Sequence, residues 1–201
     1  MGAKLTFLSW WTPKFVITRE LNEVSKLTTQ VLKETLRSRA PNASLGDEVS
    51  ETTRSIIEKR EAMAKKHTIL VNALVEALGQ ETAVKVGREG LFRAGKQLGS
   101  KNRKRLSIGD SQEDLVKAAK IMYRVLGIDF SVEWLGPNQA ILTVERCALA
   151  KNYSELTCKV LSATDEGVLN GLNPNITMKF EKTITSGCKV CVAKIERKHK
   201  S

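Results

Sequence analysis

The feature that most constrains this chain is a change of hydrophobic period at Gly127. Before it, apolar residues recur every three or four positions, which gathers them on one side of an α-helix. After it they alternate. Ile128, Phe130, Val132 and Trp134 are interleaved with Asp129, Ser131 and Glu133, the pattern of a strand with one buried face. The two periods suit different backbones, so the chain is expected to be helical first and sheet-forming second.

Ahead of the switch, Leu21, Val24, Thr28, Val31 and Leu32 predict a helix over about 18–38, ended by Pro41 and the 42–46 stretch. A second helix is expected over about 48–78, with Ile56, Met63, Leu70, Leu74 and Leu78 on one stripe and Gly79 as its C-cap. A third covers about 80–98 and stops at Gly99, and the basic run 101–105 reads as a solvated loop. Asp110-x-x-Glu113 has the form of a capping box that opens a fourth helix, closed by Gly127.

Beyond the switch, Gly136-Pro137-Asn138 turns the first strand into a second over 140–147. Helical spacing returns over 152–171 until Asn173-Pro174 breaks it. Ile176, Met178, Phe180 and Ile184 alternate along a third strand, and Ser186-Gly187 leads into a fourth over 188–195. The predicted fold class is therefore α+β: N-terminal helices followed by a ββαββ unit with an antiparallel sheet. The expected division is an arm over 1–17, a helical region over 18–127 and a cysteine-bearing unit over 128–197 that packs with it as one domain. With 201 residues, 41% of them apolar, the chain can bury a core without disulfides.

No run approaches the roughly 20 apolar residues that span a bilayer. The N-terminal burst of Leu5, Phe7, Leu8, Trp10 and Trp11 lacks the flanks of a secretory signal, so a cytoplasmic protein without a transmembrane segment is expected. That burst is expected to pack on the core or on a second copy, and a homodimer through the first two helices and the Trp10–Trp11 arm follows. The net charge of +11 favours anionic partners. Its local clusters, 101–105 and 197–200, are not interleaved with aromatics, so nucleic acid is not an expected partner.

All four cysteines, Cys147, Cys158, Cys188 and Cys191, fall after residue 146. Three readings stay open. Each can be a small buried hydrophobe. Three of them, Cys147, Cys158 and Cys191, can hold a zinc ion, although one Cys-x2-Cys pair is half of what a zinc ribbon carries. Or one can be a nucleophilic thiolate, with Cys158 favoured because it sits early in a helix, where the macrodipole lowers a thiol pKa. Asp165 lies two helical turns after Cys158 on the same face and could manage its protons. His67, flanked by Lys65 and Lys66, reads as exposed.

The set Cys147-Ala148-Leu149, Cys158, Asp165, Leu172-Asn173-Pro174, Thr183, Gly187 and Cys191, with Glu133-Trp134 ahead of it, resembles the L-2-amino-thiazoline-4-carboxylic acid hydrolase family over 130–195. It is also similar to the wider 4-vinyl reductase domain group, which includes ligand-sensing domains and relatives in vesicle-tethering complexes. The resemblance implies a small-molecule pocket between the helices and the sheet, and hydrolytic opening of a cyclic amidine that carries a carboxylate. It marks Cys147, Cys158, Asp165 and Cys191 as catalytic positions and Asn173 and Trp134 as substrate contacts, and it calls for an arginine to receive the carboxylate. Arg124, on a helix that can roof the sheet, is the candidate. No cofactor is implied. Zinc in sensor relatives needs a glutamate and a further cysteine where Phe180 and Thr183 stand here. Two other functions fit the same pattern: a non-catalytic domain that binds or senses a small molecule or lipid, and a dimeric tethering protein. An acidic group in a polar pocket points to hydrolysis, an apolar tunnel to sensing, and a helix interface without a pocket to tethering.

Overall fold

The computed structural model describes residues 3–41 and 55–198. Its elements run α1 (Ala3–Trp10), α2 (Lys14–Arg39), α3 (Ile56–Leu78), α4 (Gln80–Leu106), α5 (Gln112–Leu126), β1 (Ile128–Trp134), β2 (Gln139–Cys147), α6 (Glu155–Leu172), β3 (Ile176–Lys182) and β4 (Cys191–Arg197). Short 3-10 turns at Ala150–Asn152 and Ile184–Ser186 flank α6 and β3. The fold is α+β, with the helices first and the ββαββ unit last. The start expected for the second helix, at 48, lies outside the described residues.

Local chemistry sets the boundaries. Ser55 and Glu58 form a reciprocal capping box at the start of α3. Ser154 accepts from Thr157 N to open α6. Gly127, at φ 72°, ends α5 in the left-handed region and hands the chain to β1, where the period changes. Three expectations need correction. The helix start near 110 is capped by Ser111, which accepts from Asp114 N, because Asp110 is engaged by Arg103 and Asn173. The 101–105 run is helical, since α4 continues past Gly99 to Leu106. The last strand starts at Cys191, not 188.

α4 continues because Gly99 serves a contact. A Cβ on Gly95 would collide with the Thr164 carbonyl, on Gly99 with that of Val168, on Gly167 with that of Phe92, and on Gly171 with that of Lys96. The backbones of α4 and α6 therefore meet directly, an approach that only residues without a side chain permit.

The four strands form one antiparallel sheet in the order β1-β2-β4-β3. Its inner face contributes Ala140, Leu142, Val144, Cys191, Ala193 and Ile195 to a core shared with α5 and α6. A second core, with Leu32, Leu36, Leu70, Leu74, Leu91 and Val160, joins α2, α3, α4 and the first half of α6. Between these two cores lies the site.

Candidate functional site

A register shift orients the side chains at the end of β2. In β2, Val144 pairs with Phe130 and Arg146 with Asp129, so Glu145 is an extra residue, a β-bulge. The bulge reverses the in-out parity, and Cys147 rather than Arg146 turns inward, while Arg146 pairs with Asp129 outside. Cys191 sits directly across the ladder from Val144. On α6, Cys158, Leu161, Asp165 and Val168 follow one another at three and four residues and so share a stripe.

These residues line one cavity of about 370 Å³. That is in the range of small-molecule sites, roughly 300–1,000 Å³. Cys147, Cys158, Cys191 and Asp165 all reach it. A smaller apolar cavity of about 60 Å³ adjoins it, and Asp165, Met122, Tyr123 and Val168 line both. Trp134 borders only the small one.

Asp165 is the odd group in this setting. It makes no hydrogen bond to any described residue, and the surface it retains faces the cavities. Burial, with the nearby Glu166 charge, pushes its pKa up to about 7. The thiols move the same way. Burial raises all three, Cys158 to about 11, even though Thr185 hydrogen-bonds its sulfur. Leu149 and Ala150 amides face Cys147, and Ile184 N donates to Cys191 Sγ at 3.2 Å, but neither effect overcomes desolvation. The expectation of a helix-activated Cys158 thiolate is thus corrected: near neutral pH these are thiols. Among the described residues, no three His, Cys, Asp or Glu groups lie close enough together to hold a metal ion.

His67 is also corrected. It is 1% exposed and lines the cavity, with Nε2 2.7 Å from Thr28 Oγ1 and Nδ1 2.7 Å from Tyr153 Oη. Burial, then the Lys66 charge, lowers its pKa to about 3, so it is a neutral imidazole that fixes Tyr153. Tyr153 and Tyr123 are both held well above the usual phenol range by burial and stay protonated. Both tyrosines were missed in the sequence. His67 was misread despite a signal, since it continues the Met63, Leu70, Leu74 stripe at helical spacing.

Two expected substrate contacts lie elsewhere. Arg124 donates to the Leu8 and Ser9 carbonyls and to Thr12 Oγ1, at 3.0–3.2 Å, so its charge satisfies the C-terminal end of α1. It lines neither cavity. Asn173 is buried at the end of α6, where it donates to Asp110 and accepts from Asn175 N, a turn-building role outside both cavities. Of the two arginines that do border the large cavity, Arg19 is exposed and Arg105 lies deeper. Arg105 grips Glu20 with two bonds of 2.9 and 2.7 Å, while its Nε, and Oδ1 of the neighbouring cavity residue Asn102, are buried without a partner. The exposed lining residues, among those described, are Lys4, Arg19 and Glu23, which places the mouth between α1 and α2.

Solved structures share this fold. A trafficking protein particle complex subunit 3 from Naegleria fowleri, covalently bound to palmitic acid, aligns with TM-score 0.53 at 13% identity over 71% of this chain and 96% of its own. The phenol-responsive sensory domain of the transcription activator PoxR, with phenol, aligns with TM-score 0.51 at 13% identity over 83% and 90%. No curated protein sequence matches the chain. The model of one sequence family, described as L-2-amino-thiazoline-4-carboxylic acid hydrolase, matches residues 57–195 and takes in α3 through β4, the elements that carry the three thiols, Asp165, His67 and both tyrosines. The chain belongs to the L-2-amino-thiazoline-4-carboxylic acid hydrolase family.

Proposed function

We propose that the cavity binds a small cyclic amidine bearing a carboxylate and opens it by hydrolysis, with Asp165 moving the protons. The observation that carries this reading is the unpaired Asp165 carboxyl, held at about 7 on the wall of a cavity of small-molecule size. A group of that pKa is divided between its two forms near neutrality, which suits a residue that must act as base and then as acid. A cationic amidine also supplies the opposite charge that the buried carboxylate lacks. Ionised Asp165 takes a proton from water as the water oxygen bonds to the amidine carbon. It then gives that proton to the departing ring sulfur as the carbon–sulfur bond breaks. The carbinol proton leaves through Asp165 to solvent as the carbonyl forms, so the product is an open-chain carbamoyl thiol. Arg105 replaces Arg124 as the receptor of the substrate carboxylate, because it is the deeper of the two arginines on the cavity lining. The hydroxyls of Tyr123 and Tyr153 and the three thiols remain neutral donors around the reacting carbon.

The test is turnover of 2-amino-thiazoline-4-carboxylate, followed by release of a new thiol. Asp165→Asn should lose roughly 10²- to 10⁴-fold in kcat, the usual share of general acid–base catalysis. Cys158→Ala should stay within about tenfold, because water rather than this thiol attacks. Unchanged turnover in Asp165→Asn would sink the assignment.

One observation favours a second reading. Leu8, Val24, Leu98, Ile121, Val144 and Phe180 make much of the lining apolar, as suits a domain that binds a small apolar or aromatic molecule without altering it. The two similar structures were each solved with an apolar or aromatic molecule present. Saturable binding of phenol by calorimetry, together with no thiol release from the amidine, would select this reading.

A further inference from the structure

The N-terminal face has surface that the cavity chemistry does not use. Leu5 of α1 is buried against the core, whereas Trp10 is 82% exposed, Phe15 71%, Trp11 55% and Phe7 52%. Phe7 and Trp11 meet edge to face with centroids 5.9 Å apart, so the rings form a patch rather than scattered residues. The charge around it is mostly positive, although the exposed acids Glu23, at the cavity mouth, and Glu113, beside Lys117, lie near. Lys4, Lys14 and Arg19 are the charged side chains of the first nineteen residues, and no acid occurs among them. The next residue, Glu20, is already bound by Arg19 and Arg105. From α5, Lys117 reaches Thr6 and Glu113, Lys120 is exposed, and Arg124 lies beneath the end of α1. The cavity mouth opens beside this face, since Lys4, Leu8, Val16 and Arg19 line it.

We propose that this face docks on an anionic lipid bilayer and presents the cavity mouth to the membrane surface. Tryptophan settles at the headgroup boundary, where its ring loses water while the indole N–H keeps it, and phenylalanine buries its ring beside it. Lysine and arginine around them add attraction to acidic lipid. A second copy of the chain fits less well. A two-fold contact sets the same patch on both sides, so Lys4, Lys14 and Arg19 would face their own kind. It would also cover the mouth. The inference stands independently of the hydrolase reading, because it rests on the outer face of α1 and α2.

The full chain is sedimented with vesicles of phosphatidylcholine alone and with vesicles containing about one-third phosphatidylserine. Binding is expected to the acidic vesicles, with a blue shift of tryptophan emission, and it should weaken as salt rises. Lys4→Ala with Lys14→Ala should weaken partition about thirtyfold, on the scale of one basic residue near an acidic surface. Trp10→Ser with Trp11→Ser should abolish the blue shift. All four side chains are exposed, so circular dichroism should remain that of the parent. If the tryptophan variant fails to fold, the lysine variant alone decides. Absence of binding to acidic vesicles at low salt overturns the proposal. So does a stable dimer that the tryptophan variant dissociates, since the patch is then covered by a second copy. Displacement of the vesicles by a short oligonucleotide at equal charge also overturns it.

Discussion

α6 has two working sides, and they are packed in opposite ways. Toward α4 it presents Gly167 and Gly171, with no room for a methyl group on either. Toward the sheet and α5 it presents Cys158, Leu161, Asp165 and Val168, which border space enough for a ligand. The contrast teaches how a small domain keeps a cavity. Empty volume forfeits dispersion contacts and so weakens a core. Here the helix that walls the cavity is fixed from Thr164 to Gly171 by backbone contact on its other side, and Arg88 pins its outer edge through Glu166 at 2.7 Å. The tight side lets the loose side stay open, with Asp165 in one place.

The largest expected effect comes from loosening the tight side. Gly95→Ala and Gly171→Ala each set a methyl group against backbone that has no rotamer to change. Each should cost about 3 kcal/mol, and both together up to about 6, less where one separation of the helices relieves both clashes. The double variant then approaches the whole stability of an ordinary domain, about 5–15 kcal/mol. Urea unfolding measures this. A double variant within about 1 kcal/mol of the parent would show that the helices separate freely, and the comparison would break.

The next effect probes the open side and has a pH signature. Asp165 has a folded pKa of about 7 against an ordinary value of 3.8. A raised acid binds its proton more tightly in the folded state, so its favourable contribution is complete below pH 3.8. It is lost as pH rises toward 7 and stays lost above. Asp165→Asn removes that dependence at nearly constant shape. The variant should match the parent near pH 4 and gain on it through pH 7, levelling at no more than roughly 4 kcal/mol. Melting temperatures at pH 4, 6 and 8 give the curve. A variant that tracks the parent at all three would mean that Asp165 is solvated, and the site would lose its proton carrier.

The sequence disclosed these two sides unequally. The switch at Gly127 marked where helix gives way to sheet, and β1 matched the expected 128–134. The shared position of Cys158 and Asp165 was legible because helical spacing is local. The α4–α6 contact is readable too, as Gly95-x3-Gly99 facing Gly167-x3-Gly171, yet by its own surroundings Gly99 reads as a helix end. A glycine stops a helix when it turns the backbone and serves inside one when another helix leans on it, and a single strand of sequence does not separate the two. Arg124 and Asn173 were misplaced for a related reason. Their partners, the end of α1 and Asp110, are remote in sequence, and a polar residue goes to whichever unsatisfied group the fold brings near. The pKa of Cys158 failed differently. The dipole argument was sound in sign, but burial is the larger effect.

The smallest expected effect separates clash from glycine as such. If Gly95→Ala and Gly171→Ala weaken the protein only because the chain loses a glycine, the same exchange elsewhere should weaken it equally. Gly136, in the β1–β2 turn, is the control, since a Cβ built there meets nothing within 4 Å and its φ lies outside the positive range. Pro137 follows it, and a residue before proline is already held to extended backbone, which alanine adopts without strain. The exchange then acts on the unfolded chain, whose freedom it reduces. Gly136→Ala should therefore stabilise by about 0.4–1 kcal/mol. In a domain of this size that raises Tm by roughly 1–4 °C. A loss of stability at Gly136 would count against reading the α4–α6 glycines as a steric fit, because it would show alanine to be harmful where no atom stands in its way.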